Sequence, residues 1–395
     1  MRGKFFHNLL SGIAALALLC TAQTAFSVPY IPTNPNTVLA NVTISSEQNS
    51  ALRQLRQQLT QQPTNAALAA ILAQRYIEVG RAEGDPRYLG YAEAVIEPWR
   101  QAVTAPAMLV LLRASIKESR HDFQGALADL DQLLKRYPDH AQAWLIRATI
   151  MSVIGKYQES LASCSKILNA ASSLIAATCV ANAASLSGRA PTSYQLIKQE
   201  LARATEAPVT ERLWALTVLA DICVRTGRVD EADQTFRAAL ALGIHDVYLM
   251  GAYADFLLDQ RRYADAYELL KKDTRVDGIL LRLALAESKL QRPQAAQHIE
   301  ELKTRFAANR LRGDELHLRE EARFTLELLN DPANALVLAN KNWAVQKEPA
   351  DLRILVDAAL AAKNNAAKQT ALSWLRDSRL EDHQIRHLLR AENQV

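Results

Sequence analysis

The feature that most constrains this chain is an alanine that keeps returning. It stands at Ala73, Ala114, Ala148, Ala181, Ala220, Ala254 and Ala284, at intervals of 41, 34, 33, 39, 34 and 30 residues. Twelve residues after each of these but the first comes a second small side chain: Ala126, Ser160, Ser193, Ala232, Ala266 and Ala296. Two helices that cross closely need a small residue at the crossing. The pattern therefore predicts helical hairpins, each with one small residue per helix, and larger residues such as Leu72, Leu130, Phe236 and Leu270 filling the flanks. Gly80, Gly155, Gly188 and Gly227 are expected to end first helices in left-handed caps. Composition agrees: 49% of residues are hydrophobic but only 6% aromatic, with 13 Gly and 13 Pro in 395 residues, which suits helices better than sheets.

The stretch "HAQAWLIRATIMSVIGKYQESLASCSKIL" carries Trp144, Ala148, Gly155, Tyr157, Ser160 and Ile167 at fixed offsets, and Pro138 closes the unit before it. This resembles the tetratricopeptide repeat, a 34-residue helix–turn–helix unit, as found in exported bacterial proteins. The resemblance implies an all-α fold, an α-solenoid of tetratricopeptide-type repeats wound as a right-handed superhelix. We read residues 1–27 as a signal peptide and 28–45, with Pro29, Pro32 and Pro35, as an extended segment. The solenoid takes 46–376. It opens with a cap helix at 47–61 and holds about nine hairpins, with a weaker pattern after residue 300. In the unit built from 315–329 and 331–345 the small position falls on Arg323, and Asp331-Pro332 starts its second helix. Ala359 and Ala371 mark one more unit, and 377–395 supplies a closing helix.

The stretch "GRAEGDPRYLGYAEAVIEPW", Gly80 to Trp99, departs from the count by seven residues, almost two helical turns. It reads as an extension at the start of the second helix: Gly84 breaks the chain, Asp85 caps, and Pro86 takes the first helical position. Tyr88, Tyr91, Val95 and Trp99 then form a stripe. That stripe either packs against the N-terminal cap helix or, through Arg87, Tyr88 and Tyr91, stands out as a docking knob.

Arg2 and Lys4, the apolar run Leu9–Leu19 and the small residues of Ala25-Phe26-Ser27 make a secretory signal with a cut after Ser27. The run is short for a bilayer span, so a periplasmic or secreted protein is expected. The remainder holds 44 basic and 42 acidic residues. So even a balance gives no field for a polyanion, and nucleic acid is not expected as a partner. Of the cysteines left, Cys164 and Cys179 are the candidate disulfide, on neighbouring helices; the alternative is that they and Cys223 are small buried hydrophobes. Asn41-Val42-Thr43 is a glycosylation sequon.

In the tetratricopeptide family, first-helix residues away from the crossing line a concave groove. Here those positions include Thr149, Asn182, Ser185, Trp214, Asp221, Tyr248 and Asp255, with Asp259 beyond them. The Lys/Asn clamp that some members close on a peptide's terminal carboxylate has no counterpart. The groove reads as neutral to mildly acidic, suited to an extended polar or weakly basic segment; a solvated face without a ligand is the alternative. Arg113 and Arg147 occupy equivalent positions that need a partner if buried, and Asp129 or Asp131 can supply one. His383 and His387 stand at i, i+4 but lack a clear third ligand. No phosphate loop or serine nucleophile motif occurs. The expectation is an exported, non-catalytic scaffold or adaptor for a protein or peptide in the bacterial cell envelope, with no cofactor and no metal. The alternatives are a subunit or assembly factor of an envelope machine, docking through convex or terminal surfaces, and a small-ligand or metal-binding protein.

Overall fold

The structure, a computed structural model, describes residues 46–83, 85, 87–100 and 105–391. Residues 1–27 and 28–45, read above as a signal peptide and an extended segment, the sequon at Asn41, Gly84 and Pro86 lie outside those residues. Residues 1–50 and 51–395 are separate units, and the second of them holds the hairpins. The described residues form twenty α-helices and no strand. A lone helix, α1 (Ser46–Gln61), precedes nine hairpins. These pair α2 (Ala66–Glu83) with α3 (Arg87–Ile96), α4 (Ala107–Ser119) with α5 (Phe123–Arg136), and α6 (Ala141–Val153) with α7 (Tyr157–Ser165). Next come α8 (Ser173–Ser185) with α9 (Ala190–Arg203), α10 (Val209–Arg225) with α11 (Val229–Leu240), and α12 (Val247–Asp259) with α13 (Tyr263–Leu270). The last three are α14 (Asp277–Lys289) with α15 (Gln294–Leu311), α16 (Leu318–Glu327) with α17 (Pro332–Val345), and α18 (Pro349–Ala361) with α19 (Asn365–Ser378). A second lone helix, α20 (His383–Ala391), closes the chain. The fold is an α-solenoid of tetratricopeptide-type repeats.

The recurrent alanines sit at the crossings. All seven of the first series are at most 3% exposed. First helices of successive hairpins touch one another along the whole stack, so they line its inner side. Between the layers lie large side chains such as Leu130, Ile197, Phe236, Leu270 and Phe306, each at most 1% exposed. A single hairpin has no such interior; the core exists only because neighbours stack.

Four expectations need correction. Gly80 does not end a helix: α2 runs on to Glu83, so the insert lengthens the first helix and not the second. Gly80 serves instead as the place of closest approach, because a Cβ there would lie 3.0 Å from that of Tyr88. Ala296 is exposed, and Ala295 takes the crossing, because α15 begins only after Pro293 and the phase slips by one residue. Ala322, fully buried, takes the crossing in α16, which turns Arg323 to the inner face. Finally, Tyr88 does not stand out. It is 7% exposed, and its ring lies 6.0 Å from that of Tyr76 on α2 and 5.6 Å from Tyr91. The aromatic stripe thus packs on the first helix of its own hairpin.

Gly155, Gly188 and Gly227 do take left-handed backbone, at φ of 80°, 82° and 75°. In other hairpins His121, Arg261, Gln291, Asn330 and Lys363 adopt the same conformation without being glycine. The difference has a cause in the way the solenoid closes. Its C-terminal hairpins return to the turns of the second to sixth hairpins. Gln346 meets His121 at 3.1 Å, the Lys347 amide donates to the Val153 carbonyl at 2.7 Å, and the Tyr157 hydroxyl donates to the Lys347 carbonyl at 3.1 Å. The Ala190 amide donates to Glu381 at 2.7 Å, and Arg353 reaches Asp259 at 3.4 Å. The three glycines face Trp374, Arg379 and His383 respectively. A side chain at Gly155 would put its Cβ 2.3 Å from the Trp374 ring. The unit from residue 51 onward is therefore a closed turn with a seam.

Candidate functional site

The inner face of that closed turn carries most of the expected groove residues, in a setting different from an open groove. Asp221, one residue past the crossing alanine of α10, accepts a hydrogen bond from the Tyr248 hydroxyl of α12 at 3.0 Å. Tyr248 is 60% exposed, with its ring held out by that single bond. Asp255 is not open to a ligand. Arg282 of α14 grips it with two hydrogen bonds of 2.9 and 2.6 Å, and Arg323 of α16 adds a third. Asp259 is paired with Arg353 of α18, which also binds Asp357 at 2.8 Å. Arg319 of α16 bonds to Glu348 at 3.0 Å and to Asp351 at 3.3 Å. Along Asp255, Asp259, Glu348 and Asp351 the face is therefore charge-balanced, the neutral end of the expected range, because arginines of the seventh to ninth hairpins pair with these carboxylates, whereas Asp221 is bonded by the Tyr248 hydroxyl.

These settings push the carboxyl groups apart. Burial drives Asp221 up to about 6, against the pull of Arg225 and of the Tyr248 hydroxyl. Burial also opposes the charge of Asp255, but Arg282 and Arg323 outweigh it and hold that carboxyl at about 2. Glu320 is likewise held at about 2, where Arg319 overcomes burial. The consequences for stability have opposite signs. Asp221 binds its proton more tightly when folded, so stability falls as pH rises from about 4 to about 6 and then levels. Asp255 contributes stability that is present above about pH 4 and is lost as pH falls through 2. Asp221→Asn keeps an acceptor for Tyr248 and removes the first effect. We expect the variant to be more stable than the parent at pH 7 by roughly 1–2 kcal/mol, allowing for solvent screening, and equal to it near pH 4. Urea unfolding at both pH values checks this; equal stability at pH 7 would refute it.

The other expected residues divide. Thr149 is exposed, and its hydroxyl bonds back to the Leu145 carbonyl at 3.1 Å. Asn182 is half-buried. Ser185 does not line the face: it is fully buried, accepting from Arg225 at 2.8 Å and donating to the Asn182 carbonyl. Trp214 is partly buried against the cluster that holds Ile167 and Cys179. Side chains at these spacings rotate inward where the next hairpin offers a partner, which no count along the chain reveals.

Away from the inner face, Arg113 pairs with Asp129 at 2.8 Å, and Arg147 with Asp131 at 3.0 Å and Ser163 at 2.7 Å. The first is an internal pair; the second lies at the surface, where Asp131 is 53% exposed. Arg87 binds Asp85 through its side chain at 2.6 Å, while Tyr91 is 51% exposed. Cys164 of α7 and Cys179 of α8 are joined by a disulfide, and Cys223 is a buried thiol pushed up to about 12 by burial. His383 faces Gly227 across the seam, and its ring stacks 6.4 Å from His387. Among the described residues no group of three or more His, Cys, Asp or Glu side chains is placed to hold a metal ion. No helix among them is long and apolar enough to cross a membrane. Arg282, Arg319, Arg323, Arg353 and Glu381 were not expected. The signal of the four arginines is an Arg on the first helix of each late hairpin, with partners up to 94 residues away, whereas Glu381, between α19 and α20, reaches a partner 191 residues away.

No protein-family model matches the chain, and no curated protein does. Solved structures do resemble it. One is a tetratricopeptide repeat protein from Parabacteroides merdae, 18% identical, covering 61% of this chain and 92% of that one, with a TM-score of 0.45. Another is PilW, described as a widely conserved type IV pilus biogenesis factor, at 20% identity, 51% and 94% coverage and a TM-score of 0.39. A third is human IFIT1, solved as a dimer with m7Gppp-AAAA, at 14% identity, 84% and 86% coverage and a TM-score of 0.48. These are likenesses of fold and carry nothing about ligand or partner.

Proposed function

We propose that this protein is a non-catalytic scaffold that binds a segment of another protein on its inner face, in the bacterial cell envelope. The observation that carries the binding reading is Tyr248. A large ring 60% exposed, fixed at its hydroxyl by Asp221, loses little rotamer freedom on contact. Thr149 and Asn182 offer hydrogen bonds on the same series of helices. Because Asp255 and Asp259 are paired with arginines, the segment suited to this face is polar with an apolar or aromatic anchor, and need not be strongly basic. The envelope location is supported by the signal-like residues 1–27 and by the Cys164–Cys179 disulfide, a bond that persists in oxidising compartments.

A second reading has its own observation. Tyr91, with Ile71 and Met108, is at least half exposed on the first two hairpins, which suits a subunit or assembly factor docking through terminal surfaces. A photo-crosslinking side chain placed at residue 248 or at residue 91, in cells exporting the protein, separates the two. A discrete adduct at 248 supports the inner face, and one at 91 alone supports the terminal surface. No adduct at either position would sink both. With the partner in hand, Tyr248→Ala should weaken binding by roughly 30-fold, an anchor-sized loss, without lowering the melting temperature.

A further inference from the structure

We propose that the segment Arg379–His383, with α20 behind it, is a latch that holds the solenoid closed and controls access to the inner face. The interfaces of the hairpin stack join neighbours in sequence. The seam does not: it brings Glu381 to Ala190 across 191 residues and Lys347 to Val153 and Tyr157. Its chemistry also differs from that of the hairpin stack. The stack is sealed by fully buried alanine, leucine and phenylalanine. The seam combines single polar contacts with one apolar cluster, in which Tyr157 and Leu186 pack with Leu380, Ile385 and Trp374, and beside it leaves a cleft of about 360 Å³, lined by Ala190, Pro191, Arg225, Arg228, Glu381 and Arg386 among others. A partly polar interface within one chain that is incompletely filled along such a cleft resembles a transient one and opens at a lower free energy than the continuous core of the stack.

The latch works through satisfied backbone groups. Ala190 is the first residue of α9, whose preceding residue, Arg189, makes no side-chain cap. Its N–H is one of the donors that a helix leaves without an internal partner, and the Glu381 carboxylate accepts from it while lying against the positive helix end. Asp382 caps α20 by accepting from the Ile385 amide at 2.9 Å, which fixes the angle at which Glu381 enters. Arg379, in left-handed backbone at φ 59°, turns the chain so that it meets Gly188, and His383 meets Gly227. At Gly188 the absence of a Cβ lets the segment come close, since a Cβ there would lie 3.0 Å from that of Arg379. Withdrawing it removes the capping anion of α9 and frees the edge along which α18 and α19 are stacked. The consequence for binding rests on the inner-face reading; the latch itself does not, and the experiment reads it separately.

Amide hydrogen exchange of the intact chain is the test. Neither Ala190 nor Lys347 has a hydrogen-bond acceptor within its own hairpin, so their protection reports the seam alone. Both amides should exchange at least about tenfold more slowly than unprotected amides, yet faster than those inside α10. Glu381→Ala should bring Ala190 to the unprotected rate and speed Lys347, whereas Glu381→Gln, which retains an acceptor, should restore part of the protection. Rates inside α10 that do not change show that the variant is folded. Unprotected exchange at Ala190 and Lys347 in the parent chain would overturn the latch. So would Glu381→Ala leaving both rates unaltered. If exchange behaves as expected and the parent forms an adduct at residue 248 that Glu381→Ala leaves unaltered, control of access by the latch is overturned while the inner-face reading stands; if neither chain forms an adduct there, the inner-face reading fails and the exchange rates still read the seam.

Discussion

Replacing both Cys164 and Cys179 by alanine is expected to lower the unfolding free energy by roughly 3 kcal/mol, the chain-entropy value for a closed loop of about 15 residues. The bond joins α7, the second helix of the third hairpin, to α8, the first helix of the fourth. A solenoid stands on nearest-neighbour interfaces, and this one needs support. α7 has only nine residues, and a non-helical stretch of turns lies between it and α8. Both sulfur atoms are buried, beside Ala148, Ile167 and Ala176, so alanine also leaves small voids there. Urea unfolding of the oxidised parent and the double variant measures the difference. A change below about 1 kcal/mol would show that apolar packing alone holds the third hairpin to the fourth.

The second large effect is expected at a glycine. Gly155 and Gly243 have nearly the same left-handed backbone, at φ of 80° and 73°. Alanine at either position incurs the conformational strain of about 1–2 kcal/mol. A Cβ at Gly243 would meet nothing within 4 Å, whereas at Gly155 it would collide with the Trp374 ring and press on Lys347. Trp374 is itself wedged against Trp343 and Tyr157, at ring separations of 5.3 and 6.2 Å, so it has little room to retreat. Gly155→Ala should therefore cost about 1–3 kcal/mol more than Gly243→Ala, the size of an overpacked core contact, and should raise amide exchange at Lys347. Equal costs for the two substitutions would mean that the seam contributes nothing measurable.

Much of the fold is legible along the chain because its determinants are local. The crossing alanines and the helix starts at Asp122, Ser172, Asp246 and Asp331, whose side chains each accept an amide of the first turn, act within one hairpin. Where reading by count fails, the cause is a shift of one or a few residues that a neighbouring element imposes: Pro293 moves the crossing to Ala295, and room for Tyr88 keeps Gly80 inside a helix. The inner face was legible only as positions. Asp221 and Asp255 look alike in sequence, each one residue past a crossing alanine. One becomes a carboxyl near 6 and the other a carboxyl near 2, because two arginines arrive at the second from hairpins far along the chain.

By itself, then, the amino-acid sequence determined the unit, the helical hairpin with a small residue at its crossing, since helix propensity, capping and close packing within a hairpin depend on residues a few positions apart. Only the tertiary structure decided how many hairpins bring the chain back onto itself. It also decided which carboxylates are neutralised there, and why three consecutive turns carry glycine where others manage with Arg261 or Gln291. Curvature accumulates in small rotations from each hairpin to the next. Whether residue 381 reaches residue 190 depends on the sum of those rotations, and no single interval along the chain records it.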